Sequence, residues 1–436
     1  MSALRPSLGL THATAMVVGT IIGASIFVQP SEITKLMPSV SGILLVWLAA
    51  GVLTLAGALV CAELASAFPQ TGGVYVFLKE AYSPAIGFLW GWAMFWSMHS
   101  GIIAAIATVF ARYAAQFVPL TDTGLRLVAV SVIVGLSAVN YVGVRHGGLI
   151  QNVFTAAKVL AILAIVSAGL MWHGPAHAVA SAGVAAGDLS VRGLILAIAA
   201  GLFAYGGWHM VTYTAGETKD PARTIPRALL IGALIVTACY AGLNAIYLRV
   251  LPLDAVRAST RVAADAADVL FGGGGASIMA ALVMISTFGA VNGIILVGPR
   301  VYYSMARDRL LFTSVGAVHP VFGTPHRAIV LQGIWSSALA LTNTYGALFS
   351  RVIYTEWIFF ALMAAGLMRL RRRPDYQPSY RIVGYPLVPV TFVVASVVIV
   401  AIQMSASPRD SLIGMGIVIA GLPVYGWWSR ARSGTA

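Results

Sequence analysis

The amino-acid sequence predicts an all-α polytopic membrane protein with twelve transmembrane helices. Of its 436 residues, 59% are hydrophobic and only 9% are charged, whereas a soluble domain carries about 25% charged residues. The apolar residues form runs of about 20 residues or more, which is the length that a helix needs to cross a bilayer. The formal net charge of +13 falls in short connections between these runs, a pattern typical of membrane orientation rather than of nucleic-acid binding.

The predicted spans divide the chain into three parts. Following the apolar runs, they cover approximately residues 12–36, 41–67, 84–118, 125–144, 149–172, 191–216, 226–250, 276–306, 327–344, 347–370, 385–404 and 410–428. Several exceed the thickness of the hydrocarbon core, so we expect tilted helices or protruding ends. Residues 1–172 hold spans one to five, residues 173–370 hold spans six to ten, and residues 371–436 hold the last two spans and the tail.

Span one is interrupted by small residues. The stretch VVGTIIGASIFVQP, Val17 to Pro30, contains Gly23, Ala24 and Ser25 in succession. Small residues weaken a helix and let its backbone open. Open backbone at membrane depth is tolerated only where it is buried in protein or faces a cavity. Considered alone, the same residues would also suit close packing between helices.

Span six repeats the interruption. The stretch GLFAYGGWHM, Gly201 to Met210, has Gly206 and Gly207 at its centre. Five crossings separate spans one and six, so they run in opposite directions, as an inverted repeat requires. Two interrupted helices in corresponding positions of the two halves indicate the binding site of a transporter.

The connections predict which side of the membrane each end faces. With the N-terminus inside, 17 of the 27 basic residues lie at inner ends and nine at outer ends, and the cluster Arg369–Arg373 lies inside. This asymmetry predicts that both termini are cytoplasmic. The connections His173–Ser190 and Leu251–Gly275 then lie outside, and the second is expected to form short surface helices. Inside, Gly72-Gly73 marks a turn in the loop between spans two and three.

A series of strings, taken in order, carries a resemblance to a known family. They are GTIIGASIF in span one, CAELASAFPQTGGVYVFLKEAY after span two, QNVFTAAKVL in span five, GLFAYGGW and ETKDPARTIPRA at span six, FGAVNG in span eight, and HPVFGTPHRA after it. On these strings the chain resembles the amino acid–polyamine–organocation superfamily, and most closely its L-type amino acid transporter branch. The resemblance implies a LeuT-like inverted repeat of five plus five helices with two more helices, and alternating-access transport of amino acids.

A zwitterionic amino acid needs two kinds of partner. Free backbone N–H groups at a helix N-terminus stabilise its carboxylate, and unpaired carbonyls before a break stabilise its ammonium. The resemblance places the family's substrate contacts at the same breaks, and the predicted set is Ile21, Gly23, Ala24, Ser25, Phe203, Ala204 and Gly206. Phe203 is expected to act as a gate, although an aromatic residue there could also simply pack. Ser25 stands where the family commonly has glycine, which implies a smaller or differently hydrogen-bonded pocket.

Lys158 lies about ten residues into span five, between apolar segments. Burying an ammonium in hydrocarbon is costly, so a functional role is the default hypothesis for this lysine. The alternative is a lysine that extends its charged end to the membrane interface. In similar family members a lysine here occupies the place of a sodium ion, which implies sodium independence and leaves proton coupling open.

Glu356 in span ten and His209 after the span-six break are ionisable residues at positions where the family usually has neutral ones. The resemblance implies that both line the substrate cavity. The alternatives are an interfacial carboxylate near Arg351 and a packing histidine with one hydrogen bond. His99 in span three is interpreted as structural. Glu63 and Glu217, at inner helix ends, are expected to hold loops or the inner gate.

The predicted function is secondary active transport of L-amino acids, independent of sodium, by exchange or proton symport. Amine, polyamine or cationic amino acid transport is the alternative that Glu356 favours. An enzyme would need a catalytic cluster, and the sequence shows no Walker loop, catalytic triad or metal-ligand spacing. A channel would tend to lack two broken helices around a closed pocket.

No cofactor or metal is implied. The animal light chains of this branch join a glycoprotein through a cysteine in the loop after span three, and VPLTDTGLR lacks one, so no disulfide-linked heavy chain is expected.

Overall fold

The computed structural model describes residues 6–174, 190–259, 261–343 and 345–433. Within these ranges the chain folds into helices joined by turns. Their bounds are α1 Leu10–Ile21, α2 Ser25–Leu36, α3 Val40–Ala67, α4 Val74–Ala81, α5 Pro84–Ala93, α6 His99–Ala114, α7 Asp122–Val142, α8 Val144–Leu170, α9 Val191–Ala204, α10 Pro221–Val250, α11 Leu253–Ala258, α12 Val262–Phe271, α13 Gly275–Val297, α14 Pro299–Arg307, α15 His326–Thr342, α16 Tyr345–Leu370, α17 Leu387–Ala406 and α18 Pro408–Ser433. A π-helical turn, Met94–Met98, joins α5 to α6, and a 3₁₀ segment, Trp208–Glu217, follows α9. The predicted outer connection His173–Ser190 lies largely outside the described residues.

Most of these helices are suited to a membrane. By length and hydropathy, nine helical segments in the described part of the chain could cross a bilayer, and the bent pair α1–α2 would be a tenth. These ten coincide with ten of the predicted spans. The remaining two predicted spans correspond to α15, which has 17 residues, and α16, which has 26. The fold is therefore all-helical, with enough apolar helices for a polytopic membrane protein.

The first predicted interruption is present. Helix α1 ends at Ile21 and α2 begins at Ser25, and the two are bent by 43° relative to each other. The Gly23 N–H donates to the Ile21 carbonyl at 2.8 Å, which is not the i to i−4 pairing of an α-helix. The helical hydrogen-bond ladder is thus interrupted in the buried interior of the bundle.

The second interruption meets the first. Helix α9 ends at Ala204, and Gly207 has a φ of 103°, a left-handed conformation that glycine adopts without strain. The Thr20 hydroxyl lies 3.2 Å from the Gly207 carbonyl oxygen. A Cβ at Gly207 would lie only 2.9 Å from the Thr20 carbonyl oxygen. Both the backbone conformation and the close approach of the two breaks therefore require glycine here.

Two connections contain more structure than the sequence suggested. The predicted turn at Gly72-Gly73 has positive φ at both residues, but the loop then forms helix α4, because the apolar run VYVFL is buried against the bundle. The connection Leu251–Gly275 forms the two short helices α11 and α12, as expected. Helix α12 is not superficial, however, since one of its faces is buried from Val262 to Ala267.

Two buried ion pairs hold distant segments together. Glu217, at the end of the 3₁₀ segment, accepts hydrogen bonds from Arg300 of α14, from Nε at 2.6 Å and from Nη2 at 3.0 Å. Glu63 of α3 accepts from Arg371 at 2.8 and 2.5 Å and from the Ile382 N–H at 2.7 Å. The hydrogen bond to Glu63 raises the pKa of the Arg371 guanidinium. Both carboxylates therefore join separate segments, as expected of residues that hold loops or a gate.

We expect Arg300→Met to lower the stability of the protein by about 3–5 kcal/mol, because it leaves the Glu217 carboxylate buried without its partner. The side chains of Arg300 and Glu217 are only 1% and 3% exposed, so water cannot replace the lost contact. Thermal unfolding of the purified protein in detergent measures the change. The double variant Arg300→Met/Glu217→Met is the matched control and should recover most of the loss. An unchanged melting temperature in the single variant would contradict this assignment.

Candidate functional site

A small cavity of about 30 Å³ lies where the two helix breaks meet. Six predicted site residues line it: Ile21, Gly23, Ser25, Phe203, Gly206 and Glu356. The rest of the lining is mostly apolar and aromatic, and consists of Thr20, Ile102, Ile106, Leu202, Trp208, Met210, Ile294, Trp357 and Phe360. The structure thus brings together residues from both breaks, from α6, α13 and α16, at one point.

Three predicted contacts do not line this cavity. Ala24, Ala204 and His209 are each at most 1% exposed, and their side chains point into the packed protein. For the two alanines, the predicted contacts were backbone groups, so the side-chain position matters little. For His209 the difference is substantive, because its ring lies behind the cavity wall, beside Phe360 at 4.8 Å between ring centroids.

The carboxylate end of the predicted site is consistent with the fold. Helix α2 begins at Ser25 and runs for 12 residues. The first N–H groups of a helix have no acceptor within it, and the helix dipole is positive at that end. Because Ser25 and Gly23 both line the cavity, this helix terminus faces the space that a carboxylate would occupy.

The carbonyl end differs from the prediction, because its acceptors already have donors. The Tyr240 hydroxyl of α10 lies 3.0 Å from the Ile21 carbonyl oxygen and 2.9 Å from that of Ala204. The Phe203 carbonyl accepts from the Gly206 N–H at 3.0 Å. A hydroxyl has one hydrogen and a carbonyl two lone pairs, so acceptor capacity remains. The sequence analysis did not identify Tyr240. The one sign in the sequence was that a hydroxyl-bearing residue lies inside an apolar run.

Lys158 is hydrogen-bonded to backbone carbonyls at the first break. Its Nζ donates to the carbonyl oxygens of Gly19 at 3.0 Å, Ile22 at 2.6 Å and Ser286 at 3.1 Å. The residue is 2% exposed, so it does not extend to the membrane interface. The Ser286 hydroxyl lies 3.2 Å from the Gly23 carbonyl oxygen. The lysine therefore links α8, the break and α13 through backbone carbonyls, the type of ligand that a sodium ion would use.

Glu356 and His209 approach each other, with His99 as a third member. The His209 Nε2 lies 4.0 Å from the Glu356 Oε1. One nitrogen from each histidine and one Glu356 carboxylate oxygen all lie within 4.8 Å of one another. We call these residues the His–His–Glu cluster. Glu356 is 5% exposed and lines the cavity, so it is not an interfacial carboxylate. The interpretation of His99 as purely structural overlooked this proximity, which no spacing in the sequence indicates.

Five polar atoms of the His–His–Glu cluster have no hydrogen-bond partner among the described residues. This holds for both ring nitrogens of His99 and of His209, and for the Glu356 Oε1. Most buried polar groups in proteins are hydrogen-bonded, so these atoms have capacity for a further hydrogen-bond partner. Two ligands of a tetrahedral zinc ion lie about 3.4 Å apart, closer than the 4.0 Å between Nε2 and Oε1. The spacing suits a bridging, hydrogen-bonded oxygen better than a metal.

Comparisons with known proteins agree with the resemblance described above. A family model described as amino acid permease matches residues 8–425. The serine/threonine exchanger SteT of Bacillus subtilis is 31% identical over 97% of both chains. The human large neutral amino acids transporter small subunit 2 is 31% identical over 97% of this chain and 80% of its own length. The human b(0,+)-type amino acid transporter 1 is also 31% identical, over 97% and 88% respectively.

Proposed function

This chain belongs to the amino acid permease family and to its L-type amino acid transporter branch, and we propose that it moves small L-amino acids by sodium-independent exchange through the cavity between its two helix breaks. Amino acid transport itself follows from the family. One observation carries the sodium-independent mechanism. Lys158 holds the carbonyl groups at the first break with its own fixed charge.

Sodium independence is proposed because the site that would bind the ion is already filled by a cation. Three carbonyl oxygens surround the Lys158 ammonium at 2.6 to 3.1 Å. A sodium ion placed there would have to displace that ammonium and would meet its charge. The first break is therefore stabilised without any ion from solution.

The size of the substrate is proposed from the cavity and from the relatives. A volume of about 30 Å³ holds little more than one or two water molecules, so a substrate requires the aromatic wall of Phe203, Trp357 and Phe360 to move. A serine-sized amino acid needs the smallest movement. SteT, which aligns over nearly its full length, is named as a serine/threonine exchanger. Small neutral amino acids and their exchange are therefore the first candidates.

For alternating-access transport we propose an inverted repeat of five plus five helices. Span one is α1 with α2, span six is α9 with the 3₁₀ segment, and each half contributes one broken helix to the site. With twelve spans in all, both termini would lie in the cytoplasm and the protein in the cell membrane. The substrate site and the helix breaks then stay fixed while the two repeats rock. We also propose that no disulfide-linked heavy chain is needed, since both cysteines are buried.

A second candidate function rests on Glu356. The Glu356 carboxylate at the wall of the cavity would attract an ammonium group. A neutral amino acid already carries its own carboxylate and does not require another one in the site. Amines or cationic amino acids are therefore the alternative substrates.

Uptake of radiolabelled amino acids into liposomes that contain the purified protein tests the proposal. We expect uptake of L-serine from sodium-free buffer, accelerated about tenfold or more when unlabelled L-serine is inside, because exchange avoids the return of the empty carrier. Replacing choline by sodium outside should change the rate less than twofold, since Lys158 fills the cation position. Uptake that requires a sodium gradient would overturn the sodium-independent mechanism, and uptake of no amino acid at all would overturn the substrate assignment.

A further inference from the structure

The His–His–Glu cluster contains the one buried carboxylate among the described residues that has no lysine or arginine partner. Apart from the histidines, five acidic or basic side chains are buried in the described part of the chain: Glu63, Lys158, Glu217, Arg300 and Glu356. Glu217 and Arg300 pair with each other, Glu63 pairs with Arg371, and Lys158 is held by three carbonyls. In the described structure, no lysine or arginine nitrogen lies within 4.0 Å of the Glu356 carboxylate, whereas the His209 Nε2 lies 4.0 Å from its Oε1.

A lone carboxylate inside a membrane protein is costly unless a positive charge accompanies it. The two histidines can supply that charge only by taking up a proton. With no added proton the cluster carries one negative charge, and with one added proton it is neutral, whichever of the three residues binds it. A second added proton would create a net positive charge in the same apolar surroundings. Burial therefore favours the state with a single added proton.

The geometry allows the three residues to share that proton through one bridging oxygen. Their polar atoms lie within 4.8 Å of one another. A hydrogen-bonded oxygen lies about 2.8 Å from each partner, so one water molecule can contact all three at once. This water would also satisfy buried atoms that have no partner within the described protein.

The described residues around the cluster contribute no charge that could balance that of Glu356. Trp90 and Phe360 pack on the His209 ring, with centroids 5.8 and 4.8 Å away. Tyr213 of the 3₁₀ segment faces both histidine rings at 5.6 and 5.7 Å. Two further titratable groups, Cys61 of α3 and Tyr302 of α14, act electrostatically on Tyr213. Phenols and thiols carry no charge at neutral pH, so the cluster sets its own charge.

We infer that the His–His–Glu cluster binds one proton which a cationic substrate displaces, so that the protein exchanges a monovalent organic cation for a proton. The inference rests on the proposed function, because it places the cation in the same cavity. Glu356 is the member that lines this cavity, so an ammonium group entering it takes the carboxylate as its partner. The proton then leaves the cluster into the cavity and returns to solution. One positive charge enters and one leaves, and the interior stays neutral.

A zwitterionic amino acid behaves differently under this mechanism. Its net charge is zero, so its binding does not change the charge of the cavity and does not displace the proton from the cluster. The two kinds of substrate therefore differ in proton coupling at a single site. L-serine and ethanolamine are a matched pair of probes, since ethanolamine has the same skeleton without the carboxylate and carries one positive charge.

The experiment measures both probes in liposomes that contain the purified protein and a pH-sensitive dye. For each ethanolamine molecule taken up, one proton should leave the liposome, so that no net charge crosses the membrane. An acidic interior should therefore drive ethanolamine uptake. Its apparent affinity should rise about tenfold per pH unit while the proton competes with it. L-serine uptake should move no protons. Protein-free liposomes, measured in parallel, correct for permeation of the uncharged amine.

Variants connect the effect to the cluster. In Glu356→Gln the released proton should disappear and the ratio of ethanolamine to L-serine uptake should fall at least tenfold. His209→Asn and His99→Asn should shift the pH at which ethanolamine binding is half-maximal, whereas His12→Asn, outside the cluster, should not. Serine transport with no ethanolamine transport, or proton movement with both probes, would overturn the inference and leave the proposed function intact. Transport of neither probe would instead refute the proposed function.

Discussion

Ser25→Trp is expected to abolish substrate binding while the protein still inserts and folds. Ser25 is the first residue of α2 and lines the cavity between the two breaks. A tryptophan side chain is far larger than the cavity of about 30 Å³, so it would occupy the substrate's position or force the wall apart. We expect the affinity for L-serine to fall at least about a hundredfold, which corresponds to about 2.7 kcal/mol.

Binding of radiolabelled L-serine to the purified variant measures this effect, and elution as a single peak in size-exclusion chromatography shows that the variant is folded. Val52→Trp is the matched control, because Val52 is 66% exposed on the outer face of α3 and a larger side chain there meets no wall. Ser25→Gly restores the residue that the family commonly has and should keep binding within about tenfold. Normal affinity in a folded Ser25→Trp protein would show that the substrate binds elsewhere.

Lys158→Ala is expected to reduce transport at least about a hundredfold. The change removes the ammonium that the carbonyls of Gly19, Ile22 and Ser286 share, and leaves three buried acceptors without their donor. A hydrogen bond to a charged group contributes about 1.5–3 kcal/mol, so losing several of them should reshape the first break. The N-terminus of α2, which lines the cavity, follows three residues after Ile22, and its position depends on that break.

Uptake of L-serine into liposomes, with equal amounts of each variant incorporated, measures this prediction. Lys35→Ala is the control for the substitution itself: Lys35 is 47% exposed and, within the described residues, pairs with the exposed Glu32 at 2.7 Å. A surface pair of this kind contributes less than about 1 kcal/mol. Repeating the assay of Lys158→Ala in sodium shows whether an ion can occupy the vacated position. A wild-type rate in Lys158→Ala without sodium would contradict the role assigned to the lysine.

Composition and helix-breaking residues were sufficient to predict the membrane class and the position of the breaks. Low charge and long apolar runs leave a chain few soluble alternatives, and the helical segments follow those runs closely. Gly23 to Ser25 and Gly206-Gly207 lie where the helices are interrupted, because small residues offer little to hold a helix together. Lys158 could be singled out for the same kind of reason, since a charge inside a membrane is too costly to be accidental.

Local patterns were less informative about connections. Helix α4 was predicted as part of a loop, because the sequence FPQTGGVYVFLKEAYSP is short and contains turn residues. Its stability comes from burial of its apolar residues against other helices, which local propensity does not reveal. The same holds for α12, which was expected at the surface and is instead packed on one face.

The partners of each site residue were decided by packing between segments that are far apart in the chain. Tyr240 reaches the carbonyls of Ile21 and Ala204 only because α10 lies beside both breaks. His209 lies behind the cavity wall rather than in it because the left-handed turn at Gly207 sets the direction of the 3₁₀ segment. The rings of His99 and His209 meet Glu356 from three elements separated by about a hundred residues or more. Which residues are ionisable follows from their chemistry, whereas which of them lie close together depends on distances of a few ångströms that arise only when the helices pack.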